Sequence, residues 1–270
     1  MRVAYQGEPG AFSEEAGNGY FCKPEMVPQK SFDDVFSAVA SSDCQSGFIP
    51  IENSLAGSIH QNYDLLLRHS LFIVGEYLLR VQHCLIGFRG TNISDITHVT
   101  SHPQALGQCA GFIRKNGFIP EPAYDTAGSV GILKSSGEQN TAAIASRIAA
   151  GIYQMEILQE GIEDNPENYT RFLEISRQSV KPEGEAKTSI VFTLKNQPGA
   201  LFKALAVFAL RDIDLTKIES RPLIGKPWDY LFYVDFVGDQ NNPTVRKALE
   251  HLQENALMLR NLGSYPRYNA

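Results

Sequence analysis

The rhythm of the first 176 residues constrains the fold more than any other feature of this chain. Short runs rich in β-branched and apolar residues alternate with stretches of helical periodicity. Strands are read at 2–6, 47–51, 71–75, 98–101 and 142–145. Helices are read at 11–20, 32–40, 62–68, 103–116, 127–134 and 147–153. Phe32, Val35, Phe36 and Val39 fall at i, i+3, i+4 and i+7, one face of a helix. Alternation of this kind predicts parallel sheet with helices on both faces. Ligands then bind beyond the carboxyl ends of the strands, so the polar loops found there are where chemistry is sought.

The rhythm breaks at residues 176–187, SRQSVKPEGEAK, where charge, Pro and Gly displace the apolar pattern. Beyond this seam a strand is read at 188–194 and a helix at 201–210. Strands follow at 215–220 and 230–236, then a helix at 245–253 and a last strand at 257–262. The order βαββαβ is a ferredoxin-like pattern. Two domains are therefore expected, 1–176 and 188–266, joined by a linker at 177–187. That division suits a chain of 270 residues.

Composition removes several function classes. With 24 Lys and Arg against 30 Asp and Glu, the net charge is −6, which argues against nucleic acid as the main partner. No apolar run reaches the roughly 18 residues of a membrane span. The chain passes almost at once into a strand, so no signal or transit peptide is expected. Cys22, Cys44, Cys84 and Cys109 form no CxxC pair and read as reduced thiols of a cytoplasmic protein. His60, His69, His83, His98 and His251 show no ligand spacing, and neither a metal nor a redox cofactor is expected. GxGxxG and G-x-S-x-G are both missing.

Four loops carry candidate chemistry. Gln6 to Ser13 places glycines between a strand and a helix start, where backbone amides face an anion. Pro50 to Ser58 is a polar cluster after an apolar strand and holds Glu52, Asn53 and Ser54. Thr100 to Ala105 includes Ser101, His102 and Gln104; Ser101 also suits a plain helix cap, with Pro103 in the first turn. Asn168 to Phe172 puts Arg171 among apolar residues, where a guanidinium calls for an anionic partner. Thr126 and Ser146 repeat the strand-then-helix-start setting and also read as caps.

In order and spacing, YQGEPGAFSE, PIENSLAGSIHQNYDLL, SHPQALGQC, DTAGS, AAIAS and NYTRF resemble the prephenate dehydratases and the similar arogenate dehydratases. NQPGALF and KIESRP resemble the regulatory ACT domain that ends these enzymes. The resemblance implies a two-lobed α/β catalytic domain, similar to periplasmic binding proteins, followed by a ferredoxin-like βαββαβ ACT domain. One lobe would hold roughly 1–76 and the strand near 170, the other roughly 77–160. It implies loss of water and carbon dioxide from prephenate in phenylalanine biosynthesis, or from arogenate to give phenylalanine directly. Thr170 is the residue the resemblance ties most closely to catalysis, with Glu52 and His102 ranked below it as acids. Arg171, Phe172, Ser13, Asn53, Ser54, Ser101, Gln104, Thr126 and Ser146 would bind substrate, Arg171 by its planar fork. Glu8, Glu52 or Asp125 would favour the amine of arogenate. Asn196, Pro198, Gly199, Ala200, Leu201, Glu219, Ser220 and Arg221 would bind phenylalanine near an interface between chains, in a homodimer or homotetramer. No fused chorismate mutase is expected before the first strand. A binding protein without catalysis and a purely regulatory sensor are the other classes open to this architecture; the Thr-Arg-Phe and Glu-Asn-Ser motifs favour the enzyme.

Overall fold

The computed structural model describes residues 1–223 and 230–268. The chain begins with β1 (Arg2–Gln6), α1 (Phe12–Tyr20), β2 (Glu25–Gln29), α2 (Phe32–Ala40), β3 (Ser46–Asn53), β4 (Gly57–Ser58), α3 (His60–Arg68) and β5 (Phe72–Arg80). It then runs through β6 (Cys84–Gly87), β7 (His98–Ser101), α4 (Pro103–Gln108), α5 (Ala110–Asn116) and β8 (Ile119–Pro122). Next come α6 (Gly128–Ser136), β9 (Thr141–Ala145), α7 (Arg147–Tyr153), β10 (Glu156–Glu160) and β11 (Tyr169–Ser176). The last part is β12 (Ala186–Leu194), α8 (Ala200–Ala209), β13 (Leu215–Pro222), β14 (Tyr230–Val237), α9 (Pro243–Asn255) and β15 (Ala256–Pro266).

One sheet has the order β2-β1-β3-β11-β5, with β4 on β3; a second has the order β10-β6-β9-β7-β8. The chain leaves the first sheet after β5 and returns to it at β11, which makes the expected two-lobed α/β body. β1 pairs in parallel with both β2 and β3. The second sheet departs from the all-parallel expectation. β7 runs parallel to β8 and β9, whereas β6 runs antiparallel to β9 and β10. A strand that enters directly from another lobe has no preceding helix to set it parallel.

Patterning explains the elements. Ser31 and Asp34 form a reciprocal capping box at α2, which buries Val35, Phe36, Ala38 and Val39. The segment expected as one helix over 103–116 is two, because Cys109 adopts φ −115 and ψ 17 between α4 and α5. Phe48 lies against Phe172 in a stacked pair at 5.3 Å, in a cluster with Val3 and Ala16.

The third sheet, β13-β14-β12-β15, is antiparallel. Ile190, Phe192, Val234 and Phe236 pack under Ala204, Phe208, Val245 and Leu252 of α8 and α9. The compact units divide differently from the expected domains. The first is Met1–Leu65 with Tyr77–Phe172; the second is Leu66–Glu76 with Leu173–Ala270. Polar contacts hold 66–76 within the second unit. Lys187 Nζ lies 2.7 Å from Glu76 Oε1, and Arg260 donates to the carbonyls of Leu67 (2.8 Å) and His69 (2.5 Å).

Candidate active site

A cavity of about 240 Å³ opens in the first unit where both α/β lobes contribute walls. From the first lobe come Gln6 at the end of β1, Phe12 and Ser13 at the start of α1, and Asn53 at the end of β3. Thr170 and Phe172 reach it from β11, at the two-residue period of a strand. From the second lobe come His83 beside β6, His102, Gln104 and Gln108 on α4, and Thr126 before α6. No lysine, arginine, aspartate or glutamate lines it among the described residues. Its volume suits a small organic acid rather than a dinucleotide.

Asn53 organises this site. Its Oδ1 accepts the N–H groups of Leu55 (3.0 Å) and Ala56 (2.9 Å), which closes the turn after β3. Its Nδ2 donates to Asn168 Oδ1 (2.7 Å) and to Thr170 Oγ1 (2.9 Å). Because Thr170 Oγ1 accepts that bond, its own hydrogen is left to donate elsewhere. Phe172 supplies a ring wall held by its stack on Phe48. His102 Nδ1 accepts the N–H of Gln104 at 3.2 Å, so that nitrogen caps α4 and a neutral ring carries its proton on Nε2. Ser13 is buried at the α1 start. Thr126 lines the cavity, and the cap expected of it is made instead by Asp125 Oδ1 on Gly128 N–H at 2.7 Å.

Several expected substrate ligands lie outside the cavity lining. Arg171 alternates away from Thr170 and Phe172, is 7% exposed, and pairs with Glu52 at 3.2 Å. The anion that this guanidinium called for is thus supplied by the protein, and Glu52 is engaged with it. Ser101 Oγ donates to Ile144 O at 2.6 Å and ties β7 to β9. Ser146 Oγ donates to Gly10 O at 2.5 Å and caps α7 by accepting from Ala149. Ser54 Oγ donates to Glu167 O and accepts from Tyr169 N–H, each at 2.9 Å. Hydroxyls that saturate backbone groups in this way have no need of a ligand. Glu8 and Asp125 line a different cavity, with Tyr124 and Tyr153.

Three site residues escaped the sequence reading. Gln108 lies four residues after Gln104, on the same face of α4, a spacing that marked it. Asn168 opens the NYTRF motif. His83 was weighed only for metal spacing. Burial lowers its pKa from 6.5, against opposing contributions from its hydrogen bond to Gln108 and the nearby Glu163 carboxylate.

In the second unit, a cavity of about 120 Å³ is lined by Asn196, Ala200 and Leu201, with Leu194, Lys195, Gln197, Tyr230 and Phe232. Gly199 adopts φ +78 at the cap of α8 and shapes this turn, which also holds Pro198. Glu219, Ser220 and Arg221 sit on β13 opposite Tyr233, Phe232 and Leu231, outside that lining.

Comparison with known proteins gives this arrangement a family. The prephenate dehydratase family matches residues 3–180 and the ACT domain family matches 188–252. The chain belongs to the prephenate dehydratase family. It is 50% identical to arogenate dehydratase/prephenate dehydratase 2, chloroplastic, of Arabidopsis thaliana, over 98% of this chain and 73% of that protein. The crystal structure of a prephenate dehydratase from Arthrobacter aurescens in complex with L-Phe superposes with a TM-score of 0.91 at 30% identity. That match covers 99% of this chain and 90% of the other. A protein described as a novel type of quorum-quenching acylase superposes at 0.93 with 34% identity, over 99% and 98% of the two chains. The expectation of a cytoplasmic protein is overturned, since Arabidopsis members of this dehydratase family are named chloroplastic.

Proposed function

We propose that the Thr170 cavity removes water and carbon dioxide from prephenate or arogenate, a step of aromatic amino acid biosynthesis. The observation that carries this reading is the Asn53–Thr170 hydrogen bond, which leaves the hydroxyl hydrogen of a cavity-lining threonine to donate elsewhere. Both substrates hold a carboxylate and a hydroxyl across one ring. The carboxylate carbon leaves as carbon dioxide, its bonding electrons enter the ring, and the hydroxyl departs. One proton is consumed and the leaving oxygen becomes water. Aromaticity supplies most of the driving force, so the protein needs a donor at the departing oxygen and a means of holding the anions. Thr170 is the donor. With no cationic side chain in the lining among the described residues, backbone amides at the start of α1 favour the carboxylates.

Residues 1–176 would form the catalytic domain and 188–266 the regulatory domain, joined by 177–187. Phenylalanine is the ligand proposed for the turn cavity around Asn196, Ala200 and Leu201. The chain is proposed to work as a homodimer or homotetramer. α8 and its C-cap support this by exposing Phe202 (76%) and Leu210 (82%), about two turns apart, as apolar surface suited to a second copy. The activity is tested by incubating the purified chain with each substrate. Phenylpyruvate from prephenate or phenylalanine from arogenate, with equimolar carbon dioxide, is expected. Binding of both without either product would reduce the chain to a sensor.

A further inference from the structure

His83 lines the active-site cavity, and its ring holds a buried polar atom left unsatisfied among the described residues. His83 is 2% exposed, its ring meets Phe12 edge-on at 5.2 Å, and its Nδ1 has no hydrogen-bond partner among the described residues. A buried acceptor without a donor is costly, so such an atom calls for an explanation.

Which ring nitrogen carries the proton follows from a relay of amides. The N–H groups of Leu55 and Ala56 only donate, so Asn53 Oδ1 is fixed as acceptor and Nδ2 as donor. Asn53 Nδ2 donates to Asn168 Oδ1 at 2.7 Å, which makes Asn168 Nδ2 the next donor. That nitrogen gives its hydrogen to Gln108 Oε1 at 3.1 Å. The same oxygen lies 2.8 Å from His83 Nε2 and, as an oxygen, only accepts. His83 Nε2 therefore carries the hydrogen, and in the neutral ring Nδ1 presents a lone pair. Two backbone amides thus set the tautomer of a histidine four links away. The same Asn53 Nδ2 leaves the Thr170 hydrogen to donate elsewhere. The cavity is left with a defined donor at Thr170 and a defined acceptor at His83.

We propose that His83 Nδ1 is a substrate-recognition atom that accepts a hydrogen bond from an O–H or N–H donor of the substrate. The proposal rests on the dehydratase reading of this cavity. Prephenate offers one donor, its ring hydroxyl, because its carboxylates and ketone only accept. Arogenate offers the same hydroxyl and an ammonium group. If Nδ1 meets the hydroxyl, Thr170 and His83 grip the leaving group from both sides and serve both substrates. If it meets the ammonium, a ketone at that place sets two lone pairs face to face and prephenate is disfavoured.

Two variants separate these atoms. His83→Gln reaches Gln108 with an amide but lacks an acceptor at the Nδ1 position; His83→Asn keeps an acceptor there and loses the Gln108 link. Loss of the acceptor is expected to lower kcat/KM by roughly 10- to 100-fold, with the asparagine variant at least about tenfold better than the glutamine variant. An equal loss on both substrates assigns the hydroxyl, and a loss on arogenate alone assigns the ammonium. A glutamine variant that matches the parent, or equals the asparagine variant on both substrates, overturns the proposal. A measurement on the parent protein is independent of how the variants fold. The imidazole 15N signal of His83 Nδ1 is followed while ring-saturated analogues of the two substrates, which cannot aromatise, are added. An upfield displacement with both analogues, or with the amine alone, supports the proposal. Saturation by both without displacement overturns it. Turnover of the parent enzyme is a separate result, so failure here leaves the dehydratase reading standing.

Discussion

At the scale of single residues, chemistry in this protein is decided by which hydrogen each polar group has left to give. Thr170 and Ser101 are both hydroxyl residues in motifs, yet Ser101 spends its hydrogen on Ile144 O while Thr170 accepts from Asn53 and keeps its own. Thr170→Val preserves shape and removes the donor. We expect kcat to fall by about 10²–10³, as when one transition-state donor is lost, with little change in KM. Thr170→Ser should retain most of the rate. Steady-state kinetics on both substrates checks this, and a valine variant of normal kcat would end the assignment. Thr170, Asn53, Phe172 and Gln104, expected from the motifs and the family resemblance, all line the cavity. Ser54, Ser101, Ser146 and Arg171, expected beside them, lie outside that lining with partners in the chain, since sequence does not tell which backbone group a serine meets, nor where a guanidinium finds its carboxylate.

At the scale of elements, β3 and β9, buried on both faces, were legible, whereas the equally buried β6 was not read. β2 and β8 were not read. Pro28, Pro120 and Pro122 interrupt them, and both are edge strands, where a missing N–H is tolerated. Pairing direction was equally hidden, because antiparallel β6 depends on where the chain re-enters a sheet. The junction of 66–76 with β15 rests on a feature that sequence marks only as a glycine. Gly263 has φ +143, and a Cβ there would meet Ile73 O at 2.1 Å. Gly263→Ala is expected to destabilise the protein by roughly 2–3 kcal/mol, through backbone separation and strain. Gly137→Ala is the control. It also has positive φ, +74, but nothing lies within 4 Å, so only the conformational cost of about 1–2 kcal/mol applies. Chemical denaturation of both variants tests the contrast; equal midpoints would show that the close approach carries no energy.

At the scale of the whole molecule, the seam that is clearest in sequence is not the seam of packing. Charge and proline mark 176–187, whereas β5 and β11 each change compact unit partway along, at residues 76 and 172. Glu76 and Lys187 form a buried ion pair, so removing the chain from the linker onward takes the Lys187 ammonium away from the buried Glu76 carboxylate. Breaking a pair of that kind costs about 3–5 kcal/mol. Regulation is therefore better tested in the full-length chain. Gln197 is exposed at the mouth of the turn cavity beside Asn196 and Ala200, and Gln197→Trp fills that mouth without disturbing the core beneath. In the parent, phenylalanine is expected to weaken substrate use by roughly 5–150-fold, the usual range for coupling between two sites. In the variant, activity without phenylalanine should be unchanged, while the concentration for half-inhibition rises at least about tenfold. Coupling is reciprocal in binding, so a saturating substrate analogue should weaken phenylalanine binding in the parent by the factor by which phenylalanine weakens binding of that analogue. If the tryptophan variant is inhibited like the parent and substrate competes directly, phenylalanine acts at Thr170, and the turn cavity has no part in control.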